Sequence, residues 1–257
     1  EHYRLVVNAA TRAKDVAWIT EQANSFDVSV SEREDLAMVA VQGPDAKALV
    51  GSVLPGADRD TALALKPFYG ADIGQWFVAR TGYTGEDGFE IIVPAADAPG
   101  LWRNLIDAGV TPCGLAARDT LRLEAAMNLY GNDMDEDTSP LEAGLGWTVA
   151  WEPPDRDFVG RAAVETVRAD STRKKFVGLL LEDKGVLRAH QRVVVDGIGE
   201  GETTSGGFAP TIGRSIALAR VPAGDYDRAS VEIRGKLLDA RVVPTPFVRN
   251  GKIRIDI

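Results

Sequence analysis

Apolar residues recur with two periods along this chain, and the period changes with position. "YRLVVN" (3–8) sets Tyr3, Leu5 and Val7 against Arg4 and Asn8, which predicts a strand. Thr11 then stands where a cap would open a helix running to about Asn24, with Ala13, Val16, Ala17 and Thr20 near one face. "FDVSVSE" and "LAMVAVQ" read as two more strands. Gly43-Pro44 opens a short helix to about Leu54, with proline at its first position. "QWFVART" and "FEIIVP" flank a hairpin, and "DAPGLWRNLIDAG" reads as a helix ending at Gly109.

"GLAARDTLRLEAAMNLYG" (114–131) is rich in helix formers and predicts a strong helix closed by Gly131. "LGWTVAW" (145–151) reads as a strand, and a short helix follows from about Arg161 to Ala169. The polar stretch "DSTRKK" is the candidate boundary, dividing the chain into residues 1–170 and 171–257. Beyond it "FVGLLLE", "QRVVVD", "SIALARVP", "ASVEIRG" and "LDARVVP" are short strands between Gly- and Pro-bearing turns, the spacing of a small β-barrel or sandwich. "GIGEGETTSGG" (197–207) lacks dinucleotide-binding spacing and reads as a flexible barrel loop. The fold class is α+β: mostly antiparallel sheets flanked by helices, then a small C-terminal barrel.

Composition narrows the chemistry. The 257 residues suffice for a sizeable core, and 38 acids against 29 bases give a net charge of −9. With no basic block, nucleic-acid and acidic-membrane partners are disfavoured. One cysteine, Cys113, and two distant histidines, His2 and His190, argue against metal sites of the common Cys/His kinds. No apolar run has membrane-spanning length and no signal peptide opens the chain, so a soluble protein of a reducing compartment is expected. The start inside a strand pattern, without methionine, reads as a cut or processed chain.

Walker, HExxH and GxSxG patterns are absent, which leaves carboxylates and arginines. "RTGYTGEDGFEIIVP" (80–94) joins two strands by seven residues with three glycines and the pair Glu86-Asp87, longer than a hairpin needs. Glycines let such a loop approach a ligand closely, and a carboxylate suits a planar edge with two N–H donors. A solvated turn acid is the alternative. Arg118 has no acidic neighbour three or four residues away, whereas Arg122 has Asp119. Arg118 therefore takes a tertiary carboxylate, an anionic ligand or water, and Glu86 is itself a possible partner. Trp147 offers an indole face for stacking, with core packing as the alternative; Cys113 reads as buried filler.

"VVNAATRAKDVAWI", "VQGPDA", "KPFYGADIG", "RTGYTGEDGFEI", "GVTPCGLAARDTLRLEAAMNLYGNDMDEDTSP", "EAGLGWTVAW" and "TSGGFAPTIGRSIALARVP" together resemble the T-protein family of glycine cleavage. The resemblance runs in order over essentially the whole chain, closer to bacterial T-proteins than to their demethylase relatives. It implies an aminomethyltransferase that accepts an aminomethyl group carried on the lipoyl arm of a partner H-protein. Ammonia is released and the one-carbon unit passes to tetrahydrofolate, giving 5,10-methylenetetrahydrofolate. It implies that Glu86 binds the pterin, that Arg118 belongs to the folate site, and that Trp147, Tyr83 and Asn8 line the same cavity.

The resemblance also implies folate-binding lobes around a central cavity, a cytoplasmic location and no metal. In the family a catalytic aspartate precedes the motif at "RLVVN"; none of this chain's aspartates matches it, so residues 1–257 alone are expected to be inactive. Two rivals stand beside this reading. One is a folate-dependent demethylase on the same scaffold. The other is a non-enzymatic folate-binding protein of iron–sulfur assembly, whose Lys-Gly-Cys motif is replaced here by "DFVGRAAVE".

Overall fold

The computed structural model, which describes residues 2–257, holds a four-stranded sheet, a closed barrel and a small two-stranded sheet. The first is a four-stranded antiparallel sheet in the order β1-β4-β3-β2: β1 Leu36–Gln42, β2 Gly70–Ile73, β3 Trp76–Ala79 and β4 Gly88–Pro94. Alternation in β4 turns Phe89, Ile91 and Val93 to one face, where they are fully buried. Helices α2 (Ala46–Val53), α3 (Gly56–Ala64) and α4 (Ala98–Asp107) cover that face, inserting Val50, Ala62, Leu101 and Leu105. Helix α1 (Arg12–Ala23) buries no residue; its Lys14 pairs with Glu136 at 2.6 Å.

Helix α5 (Leu115–Glu124) precedes a long irregular stretch, then α6 (Arg161–Ala169). The C-terminal barrel closes in the order β10-β5-β8-β7-β6-β9: β5 Lys175–Leu181, β6 Arg192–Val195, β7 Gly199–Ala209, β8 Arg214–Val221, β9 Arg228–Ile233 and β10 Lys236–Val243. Leu179, Val193, Ala217, Ala219 and Val231 fill its interior. A small hairpin, β11 (Val248–Arg249) with β12 (Lys252–Ile253), ends the chain. The α+β class and the C-terminal barrel agree with the sequence pattern, and residues 170–174 link α6 to β5.

Six elements differ from expectation. Residues 3–8 and "FDVSVSE" pair with no strand among the described residues, because alternation sets the faces of a strand but not a neighbour to bond it. Pro44 lies in the turn before α2 rather than at its first position. Helix α5 stops at Glu124, not at Gly131: Ala126 adopts φ +54, and the Met127 amide returns to the Arg122 carbonyl at 2.8 Å, closing the last turn. "LGWTVAW" holds a 3₁₀ turn, Gly146–Thr148, instead of a strand.

"GIGEGETTSGG" is the largest departure: after a turn at Gly197 and Ile198, residues 199–207 belong to β7, the longest strand of the barrel. A Cβ on Gly201 would sit 2.2 Å from the Arg220 carbonyl oxygen, and one on Gly206 would sit 2.8 Å from the Arg188 nitrogen. These glycines serve close backbone approach inside a packed barrel, not flexibility.

Candidate active site

The hairpin loop 82–88 is built against the protein itself. Arg80 and Asp87 pair across its base through two hydrogen bonds. A Cβ on Gly82 would meet Gln42 Oε1 at 1.7 Å, and one on Gly88 would meet the Val41 carbonyl oxygen at 2.3 Å. Gly85, at φ +76, packs on Ala125 at the end of α5, where a Cβ would lie 2.6 Å from the alanine methyl. The three glycines therefore seat the loop on β1 and α5; approach to a ligand is not what demands them. Gln42 Nε2 donates to the Thr81 and Phe89 carbonyls, and Thr84 Oγ1 donates to Gln42 Oε1.

Seated this way, the loop turns Tyr83 towards α5. The Tyr83 hydroxyl donates to the Asn128 carbonyl, and the Arg118 guanidinium lies 4.4 Å from the centre of the Tyr83 ring. Burial pushes the phenol pKa above its usual value, opposed by the nearby cations of Arg122 and Arg118. Arg118 makes no ion pair among the described residues, so Glu86 is not its partner.

Tyr83 and Arg118 border a cavity of about 460 Å³ that runs between β1 and the segment 110–121. Its walls are largely apolar, with Val39, Trp102 and Ile106 among them. One carboxylate lines it, that of Glu90, whose Oε2 accepts from Thr81 Oγ1 at 2.6 Å. Glu90 stands on the face of β4 opposite Phe89 and Ile91, so alternation points it away from the apolar core.

The expected site residues do not all converge here. Glu86 turns from the cavity to the C-terminal hairpin, where its Oε1 accepts the Gly251 amide at 2.7 Å. Trp147 is 82% exposed on its 3₁₀ turn and does not line the cavity, nor does it pack in a core. Asn8 is exposed, its carbonyl accepting from the Thr11 amide at 3.2 Å and from Thr11 Oγ1. Cys113 is exposed at the cavity wall rather than buried.

Sequence reading passed over Glu90 because it sits inside a strand instead of on the conspicuous loop. The signal that finds it is the alternation of "GFEIIVP", which sets one acid opposite the buried face. Arg122 holds more than the local partner expected of it. Its Asp119 contact is real, at 2.8 Å, but Arg122 is only 3% exposed and pairs with the fully buried Asp133 at 2.9 Å.

With this geometry established, relatives locate the chain among known proteins. The GCVT N-terminal domain family matches residues 1–153, and the glycine cleavage T-protein C-terminal barrel domain matches 174–249. An aminomethyltransferase of Pseudomonas syringae pv. tomato is 56% identical over 253 residues, covering 98% of this chain and 70% of that relative. One from Methylococcus capsulatus is 56% identical over 255 residues, covering 99% and 70%. The crystal structure of glycine cleavage system aminomethyltransferase T from Bartonella henselae superposes with a TM-score of 0.83 at 33% identity, over 96% of this chain and 68% of that one. Both halves match in order and the relatives align across nearly every residue: the chain belongs to the glycine cleavage T-protein family of aminomethyltransferases.

Proposed function

We propose that the cavity beside Tyr83 and Arg118 binds tetrahydrofolate, and that the enzyme loads it with the carbon of an aminomethyl group. The donor is the aminomethylated lipoyl arm of an H-protein, ammonia leaves, and 5,10-methylenetetrahydrofolate forms. The observation that carries this reading is the Arg118 guanidinium, stacked on Tyr83 without a carboxylate partner at a largely apolar cavity. Folate offers what such a site lacks: a flat heterocycle for the apolar walls and carboxylates for the arginine.

Glu90 supplies the complementary acceptor. A carboxylate takes two N–H donors from one edge of a pterin, and Glu90 has one oxygen engaged by Thr81 and no ion pair among the described residues. Glu86 has its oxygen on Gly251, and we assign it to holding the C-terminal hairpin. None of the chain's aspartates is assigned to the nitrogen that is alkylated. A cytoplasmic location accords with this reading, and no described helix is long and apolar enough to cross a membrane.

Calorimetry with tetrahydrofolate tests the assignment. Glu90→Gln turns an acceptor into a donor facing a donor, and affinity is expected to fall about 10-fold or more. Glu86→Gln is expected to leave affinity within about 3-fold of the parent, since its loss is a hairpin contact. The opposite ranking would return the pterin to Glu86, and no effect from Glu90→Gln, Glu86→Gln or Arg118→Gln would remove folate from this cavity.

A further inference from the structure

One buried carboxylate stands behind both members of the stacked pair. Asp133 is fully buried, and its Oδ2 accepts from Arg122 Nη1 at 2.9 Å, Ser205 Oγ at 2.8 Å and the Leu129 amide at 2.8 Å. Its Oδ1 accepts the Thr204 hydroxyl, and its backbone carbonyl accepts Arg220 Nη2 at 2.7 Å. Burying a carboxylate this completely is costly unless its oxygens are met by this density of donors.

Two of the contacts lead back to the cavity. The Leu129 amide belongs to the peptide unit whose carbonyl, that of Asn128, accepts the Tyr83 hydroxyl. A peptide unit is planar and stiff, so fixing its N–H fixes the direction of its C=O. Asp133 thus holds the anchor of the Tyr83 ring. Arg122, bonded to the same carboxylate, sits one turn beyond Arg118 on α5, and that bond fixes the height and rotation of the helix that carries the guanidinium.

We infer that Asp133 is a positioning residue for the aminomethyl transfer: it sets the Tyr83–Arg118 pair, with barrel residues Thr204 and Ser205 holding it in place. The inference rests on the reading of that pair as part of the folate site. The barrel then acts on the reaction from behind the helix rather than through contact with substrate. A contiguous chain of bonds is not itself proof of coupling, so the test must read coupling.

Removing Asp133 leaves Arg122 unpaired in the interior and risks unfolding, so the informative variant is Ser205→Ala, which keeps the ion pair. With ¹³C-labelled tyrosine the chain gives five side-chain signals, and Tyr83→Phe identifies the one from Tyr83. Ser205→Ala is expected to move the Tyr83 signal while leaving that of Tyr226, in the barrel, unchanged. Tetrahydrofolate affinity is expected to drop about 3–10-fold. Made on top of Arg118→Gln, the same change is expected to cost no further affinity. A lower melting temperature with an unmoved Tyr83 signal would mean that Asp133 is structural only, and so would losses that add fully to those of Arg118→Gln. If the Tyr83 signal moves but Arg118→Gln itself leaves affinity intact, positioning stands and the folate reading of the pair falls.

Discussion

Arg80 and Asp87 close the hairpin loop at its base: Nε and Nη2 of the arginine donate to the two carboxylate oxygens at 2.8 and 2.6 Å, while Nη1 holds the Leu65 carbonyl at 2.8 Å. The acid that sits beside Glu86 in sequence is therefore a clamp, and it fixes the ends of the loop that presents Tyr83. The clamp should show in the pH dependence of stability. Its hydrogen bonds hold the Asp87 carboxyl below the usual carboxylate range. A depressed pKa contributes stability above the unfolded value and loses it as pH falls through the folded one. Asp87→Asn is expected to lower the melting temperature by about 2–4 °C at neutral pH, since a pair this exposed is screened. Scanning calorimetry should find the gap closing below about pH 4; a gap unchanged at about pH 2.5 would sink the clamp.

Arg118 and Arg122 should part company in urea. Arg122→Met strands the Asp133 charge in the interior and is expected to cost about 3–5 kcal/mol. Arg118→Met loses one stacking contact at an exposed position, about 0.5–1 kcal/mol. Equal midpoints for the two variants would contradict the burial that separates them.

Two glycines should respond with opposite signs. Gly201→Ala drives a methyl against the Arg220 carbonyl and is expected to destabilise by about 1–3 kcal/mol. Gly100 lies in α4 with nothing within 4 Å of its missing Cβ. Gly100→Ala is expected to stabilise by about 0.5–1 kcal/mol. Denaturant midpoints check both, and a neutral Gly201→Ala would mean that β7 and β8 are not in this register.

Trp147→Ala should be silent for stability, within about 0.5 kcal/mol, because the indole is exposed. If Trp147 nonetheless stacks on bound folate, the same variant lowers affinity in calorimetry. A large loss of melting temperature would restore the core-packing reading instead.

Much of this fold was legible where one periodicity dominates over a long stretch. β1, β4, α4 and α6 appear where alternation or helical spacing predicts them, because in each the more covered positions recur at the period of the element. The failures share a cause. "YRLVVN" has the alternation of a strand, but pairing is decided by a partner that no local pattern names. "GETTSGG" has the composition of a loop, yet its glycines are dictated by Arg220 on the neighbouring strand β8 and by Leu187 in the segment between β5 and β6. Motif and missing helical partner pointed to Tyr83 and Arg118, and both border the cavity. Glu90 was hidden by its strand, and Arg122 by a local acid that masked its tertiary one.

The end of α5 belongs to both halves of the molecule. Leu123 packs into the cluster outside the barrel with Leu180 and Ile216, and Glu124 accepts the Thr211 amide and hydroxyl at 2.9 and 2.7 Å. With Arg122, which bonds Ser205 of β7 at 2.9 Å, three successive side chains of one helical turn are spent on the barrel's surface. The barrel therefore cannot be lifted away as a spare module: cutting it off would uncover two charges and a leucine at once. Heat should melt the sheet and the barrel in a single cooperative transition, and grafting a foreign barrel onto this scaffold would require carrying the last turn of α5 along with it.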